Sequence, residues 1–149
     1  KLVRANLLIN EAHQATFIGL KNSAADAIVG EPETEQALAA VGKFTVLILG
    51  MGDDGHTASL FPGADALALG LDMDSGRTCI GVTPTEAPHQ RISMTLPRLI
   101  DSQQIIIHIS GAGKQQVLEQ AQAGDDVEAL PIRAILNQQQ APLAIYWAK

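Results

Sequence analysis

The sequence predicts an α/β fold in which a largely parallel sheet is flanked by helices. Two apolar runs rich in β-branched side chains, residues 44–49 and 105–109, have the composition of strands buried on both faces. Strand patterns alternate with helical patterns along the chain, which is typical of βαβ units. The 149 residues contain no linker-like segment, so we expect a single domain covering residues 1–149.

The individual elements follow from apolar periodicity and from glycine and proline as breakers. Gly30 is expected to stop a helical turn over residues 22–28, and Pro32 to open a new helix that ends near Gly42. Helices are also expected over residues 1–9 and 64–71, from the turn at 110–114 to about 122, and over 131–136, with a single turn at 97–101. Extended segments are expected over residues 16–20, 44–49, 78–82, 91–96, 105–109 and 142–147.

The composition limits the partners and the compartment. Apolar residues make up 46% of the chain and charged residues 17%, with no apolar run of about 18 residues, so we expect a globular domain without a membrane span. The net charge of −6 argues against nucleic acid as a partner, because binding to a phosphate backbone needs excess Lys and Arg. The single cysteine, Cys79, excludes an internal disulfide and is compatible with the reducing cytoplasm.

The loop that follows the strand at residues 44–49 carries the best candidate for catalysis. Ligands of open α/β sheets bind at the carboxyl ends of strands, and His56 stands there between glycine-rich turns. Imidazole is the natural general base near neutral pH. Asp54, two residues earlier, is expected to hold the tautomer of His56 and to stabilise the imidazolium.

Three other interpretations of this loop are weaker. Residues 50–55 match G-x-G-x-x-G, but Asp53 and Asp54 would oppose the pyrophosphate of a dinucleotide. These two aspartates and His56 have no second His or Cys nearby, so no metal is expected. Ser59 remains open as a nucleophile, although the loop has no G-x-S-x-G elbow.

A second glycine-rich turn, with Gly111, Gly113 and Lys114, lies between a strand and a helix. It is not a P-loop, because His108 and Gln115 stand where that motif needs a glycine and a Ser or Thr. Backbone N–H groups at a helix start, with a lysine beside them, nevertheless suit a phosphate monoester.

Residues 49–63, LGMGDDGHTASLFPG, closely resemble the signature of 6-phosphogluconolactonases. That family shares a superfamily with glucosamine-6-phosphate deaminases and is related to ribose-5-phosphate isomerases, so the resemblance implies a Rossmann-like fold of the sugar-phosphate isomerase and deaminase type. Further similar segments are KLVRANLL (1–8), RISMTLPRL (91–99), IHISGAGK (107–114) and PIRAIL (131–136), so the resemblance covers nearly the whole chain.

The resemblance implies hydrolysis of 6-phosphoglucono-δ-lactone to 6-phosphogluconate in the oxidative pentose phosphate pathway, without metal or organic cofactor. It implies that His56 deprotonates the attacking water, that Asp54 supports His56, and that Arg91 and Lys114 hold the 6-phosphate. The other substrate- or phosphate-binding positions expected are Gly52, Gly55, Thr57, Gly111 and Gly113.

Two alternatives belong to other functional classes. Deaminases of the superfamily have a loop resembling G-H-I-A-F-N-E-P, whose Glu assists ring opening. Phe61 occupies that position here, and no other acid lies between His56 and Pro62, which favours the lactonase. The second alternative is an inactive sugar-phosphate-binding fragment.

The family's N-terminal motifs, a Gly-Gly-x-Thr-Pro-like turn and an Asp-Glu-Arg segment, do not occur in these 149 residues. We therefore expect the sequence to be the C-terminal portion of a lactonase, incomplete at the N-terminus and with little or no activity alone. Its sheet is expected to have an exposed edge that invites self-association.

Overall fold

The computed structural model describes residues 2–149 and confirms the α/β class. Within these residues no helix is both long and apolar enough to cross a membrane. The helices are α1 (Leu2–Asn6), a 3₁₀ helix (Asn10–Gln14), α2 (Ala27–Leu38), α3 (Leu67–Leu71), α4 (Leu96–Ile100), α5 (Ala112–Gln122) and α6 (Ile132–Asn137). The strands are β1 (Leu47–Leu49), β2 (Cys79–Val82), β3 (Arg91–Met94), β4 (Ile105–Ser110) and β5 (Leu143–Ala148). The expected extended segment at residues 16–20 forms no strand.

The predicted parallel sheet is confirmed. Its strand order is β1-β4-β5, and both pairs are parallel. The register places Leu49 beside Ile107 and Ile107 beside Ile145. The strands β2 and β3 form a separate antiparallel pair. The carboxyl ends of β1 and β4 therefore lie next to each other, where the two glycine-rich turns begin.

The prediction that the apolar strands are buried on both faces is wrong. Leu49 and Ile107 point into a core that also contains Leu99, Leu118 and Ile135 from α4, α5 and α6. On the opposite side Ile48 is 67% exposed and pairs in the register with Ile106, which in turn pairs with Ala144. We call this side, with residues Val46, Ile48, Ile106, Ala144 and Tyr146, the outer face. A continuous apolar run reports two apolar faces, and the described helices cover only one of them.

Gly30 and Pro32 do not interrupt a helix, contrary to the prediction. Both lie inside α2, whose N-cap, Asp26, accepts a hydrogen bond from the Val29 N–H. Gly30 is selected by packing, since a Cβ there would lie 2.5 Å from the side-chain oxygen of Asn22. That asparagine also donates to the carbonyl of Gly30 at 2.6 Å, and the tertiary contact stabilises the helix across the two weak helix formers.

Carboxylates of α2 occupy the free edge of β2. Glu35 accepts hydrogen bonds from the N–H groups of Thr78 (2.8 Å) and Cys79 (2.9 Å), and Glu31 accepts one from Gly81 (2.6 Å). Glu31 also forms an ion pair with Arg77. Burial alone raises the pKa of Glu35, but the hydrogen bonds from Thr78 and Cys79 outweigh it, so the pKa is lowered from 4.5. Burial likewise raises the pKa of the Cys79 thiol to about 12.

The lowered pKa of Glu35 makes stability depend on pH. Because the folded pKa lies below the unfolded one, the stabilisation is complete above about pH 4.5 and is lost as the pH falls through the folded pKa. We expect Glu35→Gln to reduce the free energy of unfolding by about 1–2 kcal/mol at pH 7 and by much less at about pH 3. Urea titrations at both pH values measure the difference. Glu33→Gln, an exposed position on the same helix, is the control, and an equal loss at both pH values would contradict the prediction.

Candidate active site

The loop after β1 brings Asp54 and His56 together, as the sequence predicts. Its turn is closed by two backbone hydrogen bonds, from Gly52 N–H to His56 O (2.8 Å) and from Gly55 N–H to Gly52 O (3.1 Å). Asp54 Oδ1 lies 2.6 Å from His56 Nδ1 and also accepts a hydrogen bond from the His56 backbone N–H at 3.1 Å. The pair is therefore formed within the loop itself.

The ionisation of Asp54 sets the state of the imidazole. Partial burial raises the pKa of Asp54, but the hydrogen bonds from the backbone and the ring of His56 outweigh it, so the pKa is lowered from 3.8. An ionised carboxylate only accepts hydrogen bonds, so Nδ1 of His56 carries the proton. The lone pair is then on Nε2, which is the arrangement that a general base requires.

Gly52 and Gly55 are both buried, and the absence of a Cβ at each of them allows close packing in the loop. A Cβ on Gly52 would collide with His56 Nδ1 and Asp54 Oδ1, so the imidazole can lie where it does only because residue 52 is glycine. Gly55 has a φ of 74°, and a Cβ there would lie 2.5 Å from the side chain of Leu130. The room that these two glycines provide is thus taken by side chains of the protein, and neither lies open to a substrate.

Thr57 and Ser59 tie the loop to its surroundings. The Thr57 hydroxyl is buried and donates to the Gly50 carbonyl at 2.9 Å. The Ser59 N–H donates to Ser93 Oγ at 3.0 Å. Within residues 2–149 no hydrogen bond joins the Ser59 hydroxyl to His56, so the geometry does not support a serine nucleophile.

Lys114 reaches this loop from the second glycine-rich turn. Its Nζ lies 2.9 Å from Asp53 Oδ1, which joins the segments that follow the neighbouring strands β1 and β4. Gly111 has a φ of 87° and opens α5, but its N–H already donates to Ala148 O at 2.8 Å and is not available to an anion. A Cβ on Gly113 would meet no atom within 4 Å, so this position is open.

Arg91 is not brought to His56. It is the first residue of β3, and its guanidinium donates to the carbonyls of His89 (2.7 Å) and Gln90 (3.3 Å). It lines a cavity of about 600 Å³ together with residues of the segment 20–27, while His56 lines a different cavity of about 450 Å³. The sequence could not predict this separation, because strand periodicity does not indicate which loop a side chain faces.

The cavity beside His56 contains two side chains that the sequence did not indicate as its neighbours. The Phe61 ring lies 4.2 Å from the imidazole, centroid to centroid, at an angle of 36°. Glu86, from the loop between β2 and β3, lines the same cavity. The two strand patterns flanking residues 83–90 could have suggested a hairpin loop here, but not its position.

Among residues 2–149 no group of three His, Cys, Asp or Glu side chains could hold a metal ion.

The chain is similar to known proteins along almost its whole length. The family model described as glucosamine-6-phosphate isomerases/6-phosphogluconolactonase matches residues 1–147. A 6-phosphogluconolactonase of Pseudomonas putida is 42% identical over 146 residues, which cover 98% of this chain and 59% of the relative. One of Rhizobium meliloti (strain 1021) is 40% identical over 149 residues, covering 99% of this chain and 64% of the relative.

A solved structure is similar over the same extent. The crystal structure of a 6-phosphogluconolactonase from Shewanella baltica OS155 has a TM-score of 0.95 and 40% sequence identity, and the match covers 99% of this chain and 63% of that one. The chain thus spans about 60% of the length of these relatives. It belongs to the family of glucosamine-6-phosphate isomerases and 6-phosphogluconolactonases.

Proposed function

We propose that the protein hydrolyses 6-phosphoglucono-δ-lactone to 6-phosphogluconate. The observation that carries the proposal is the 2.6 Å pair of Asp54 and His56 at the carboxyl end of β1. Lys114 provides a cation for a phosphate next to it. The relatives about 40% identical to this chain are named 6-phosphogluconolactonase, which supports this choice within the family.

In the proposed reaction the Nε2 lone pair of His56 removes a proton from water as the water oxygen attacks the lactone carbonyl. The tetrahedral intermediate collapses with cleavage of the bond between the carbonyl carbon and the ring oxygen. The imidazolium returns its proton to that oxygen, which leaves a carboxylic acid and a hydroxyl group. Asp54 stabilises the imidazolium through the Nδ1 proton between the two steps.

The phosphate is proposed to bind Lys114, whose ammonium group has three donors and is paired with Asp53. Binding energy from that remote group orients the carbonyl at His56. Within residues 2–149 Arg91 donates to the carbonyls of His89 and Gln90 through Nη1 only, so Nε and Nη2 remain donors for a phosphate, but Arg91 and His56 line different cavities. Its role as a phosphate ligand therefore stays a prediction, as does the cytoplasmic location.

The deaminase–isomerase alternative is less well supported. The position of its ring-opening glutamate holds Phe61, whose apolar ring contacts His56. Glu86 lines the cavity from another loop, so a carboxylate is present, but at a different place. Glucosamine 6-phosphate tested beside the lactone separates the two activities. Phosphate binding without turnover of either compound would favour the inactive binding fragment.

Lys114→Ala tests the phosphate assignment. We expect KM for the lactone to rise about tenfold or more with a smaller change in kcat, because a charge-assisted hydrogen bond to the remote phosphate is lost. Loss of lactone is followed in the intact protein, corrected for spontaneous hydrolysis. Lys43→Ala, an exposed lysine outside the site, is the control. An unchanged KM in Lys114→Ala would refute the assignment of Lys114 as a phosphate ligand. The same assay also measures the low activity that is expected of residues 1–149 alone.

We also propose that residues 1–149 alone self-associate through the β1 edge and the outer face. Ile48 and Tyr146 are 67% and 59% exposed on this side, and within residues 2–149 β1 pairs only with β4. An apolar sheet edge of this kind readily pairs with another chain. Sedimentation of the 149-residue chain should show a concentration-dependent mass that Ile48→Lys reduces, with Leu69→Lys as an exposed apolar control. A monomer at all concentrations would contradict the proposal.

A further inference from the structure

Phe61 makes a contact that the proposed chemistry does not yet use. Its ring lies 4.2 Å from the His56 imidazole, centroid to centroid, with the planes tilted by 36°. Both rings line the same cavity of about 450 Å³. Phe61 has no group that can donate or accept a proton, so any effect on the reaction must act through its neighbour.

A tight turn places Phe61 over the imidazole. Leu60 N–H donates to Thr57 O at 2.9 Å, and the two residues form an isolated β-bridge. Ala58, inside this turn, has a φ of 51°, a left-handed conformation that few non-glycine residues adopt. Leu60 is only 1% exposed and anchors the turn in the core. The chain thus reverses direction directly after His56 and returns the next aromatic residue to it.

The imidazole is therefore restrained on three sides. Gly52 lies against one side of the ring, so close that a Cβ would collide with Nδ1. Asp54 holds Nδ1 at 2.6 Å. Phe61 contacts the ring directly. Without Phe61 the imidazole could turn about its side-chain bonds towards the cavity and lose the Asp54 hydrogen bond.

We propose that Phe61 is a positioning residue that keeps the His56 imidazole on Asp54, with the lone pair on Nε2. The catalytic part of this inference rests on the proposed function, because it takes His56 as the general base. An aromatic contact of this kind is expected to contribute a factor of roughly 3–10 to kcat, with little effect on KM. A residue needed only for folding would not alter the tautomer of a histidine in a folded protein.

The test is the tautomer of His56, measured by long-range ¹H–¹⁵N correlation of the labelled intact protein at about pH 9. In the wild type we expect a protonated Nδ1, an unprotonated Nε2 and NOEs between the two rings. In Phe61→Leu the two nitrogen shifts should converge as the ring samples both tautomers. Phe61→Tyr should restore the wild-type shifts.

Phe44→Leu is the matched control, because this ring packs 3.8 Å from the Arg98 guanidinium, outside the His56 cavity. It should change neither the shifts nor kcat. Unchanged shifts in Phe61→Leu, or a changed tautomer with unchanged kcat, would overturn the proposal. If Phe61→Leu does not fold, the test rests on the wild type and on Phe61→Tyr. The proposal is overturned if the wild type shows no NOEs between the two rings, or if Phe61→Tyr loses the Nδ1-protonated tautomer of His56. A wild type with the expected tautomer and no lactone turnover would refute the proposed function and leave the ring contact standing.

Discussion

Replacing His56 by alanine is expected to lower kcat for the lactone by about 10²–10⁴-fold, the contribution typical of a general base. The substitution leaves Lys114 beside Asp53, so binding of the product 6-phosphogluconate should change little. Both quantities are measured on the intact protein, with lactone loss corrected for spontaneous hydrolysis.

The matched control is His13→Ala, because His13 is exposed in the 3₁₀ helix and, among the described residues, its side chain hydrogen-bonds only to the Asn10 carbonyl. It should retain wild-type kcat. A His56→Ala variant with full kcat would show that another group activates the water. Equal losses in both variants would point to a general effect on folding.

Gly52→Ala is expected to lower kcat by about 10²-fold or more, although it adds only a methyl group. That methyl would collide with His56 Nδ1 and Asp54 Oδ1, so the ring and the carboxylate must separate. The forced rearrangement should also cost about 1–3 kcal/mol of the free energy of unfolding. Kinetics and urea denaturation of the same preparation measure the two effects.

Gly42→Ala serves as the control, since a Cβ at Gly42 meets nothing within 4 Å. It should leave kcat unchanged. If Gly52→Ala kept both its kcat and the Nδ1-protonated tautomer of His56, the close approach of the ring to Gly52 would not matter for the reaction.

The sequence could predict those elements of the fold whose own residues show a clear apolar pattern. The strand expected at 105–109 is β4 (Ile105–Ser110), and the helix expected at 131–136 is α6 (Ile132–Asn137). The helix α2 could not be predicted as one piece, because the contact of Asn22 with Gly30 is invisible in helix propensity. The exposure of Ile48 was equally hidden, since composition shows that a face is apolar and not what covers it.

The site divides in the same way. Asp54 and His56 are two residues apart in one turn, so spacing alone indicated their pairing. The approach of Lys114 to Asp53 was not predicted, because it depends on β1 and β4 lying side by side in the sheet. The contact of Phe61 with His56 depends on the turn at Thr57, and the direction of Arg91 depends on the loop before it. These are products of tertiary structure, which residue types do not encode locally.

The α2 carboxylates that bind β2 also determine which strand edges can pair with another chain. At neutral pH the N–H groups of Thr78, Cys79 and Gly81 are occupied by Glu35 and Glu31, so this border offers no free donors to an incoming strand. Protonation of Glu35 weakens its two bonds and frees donors beside a buried apolar strand. Acid would therefore not only weaken the attachment of α2 but also expose a second strand edge that can pair with another chain. The chain should then become prone to aggregation before it unfolds completely.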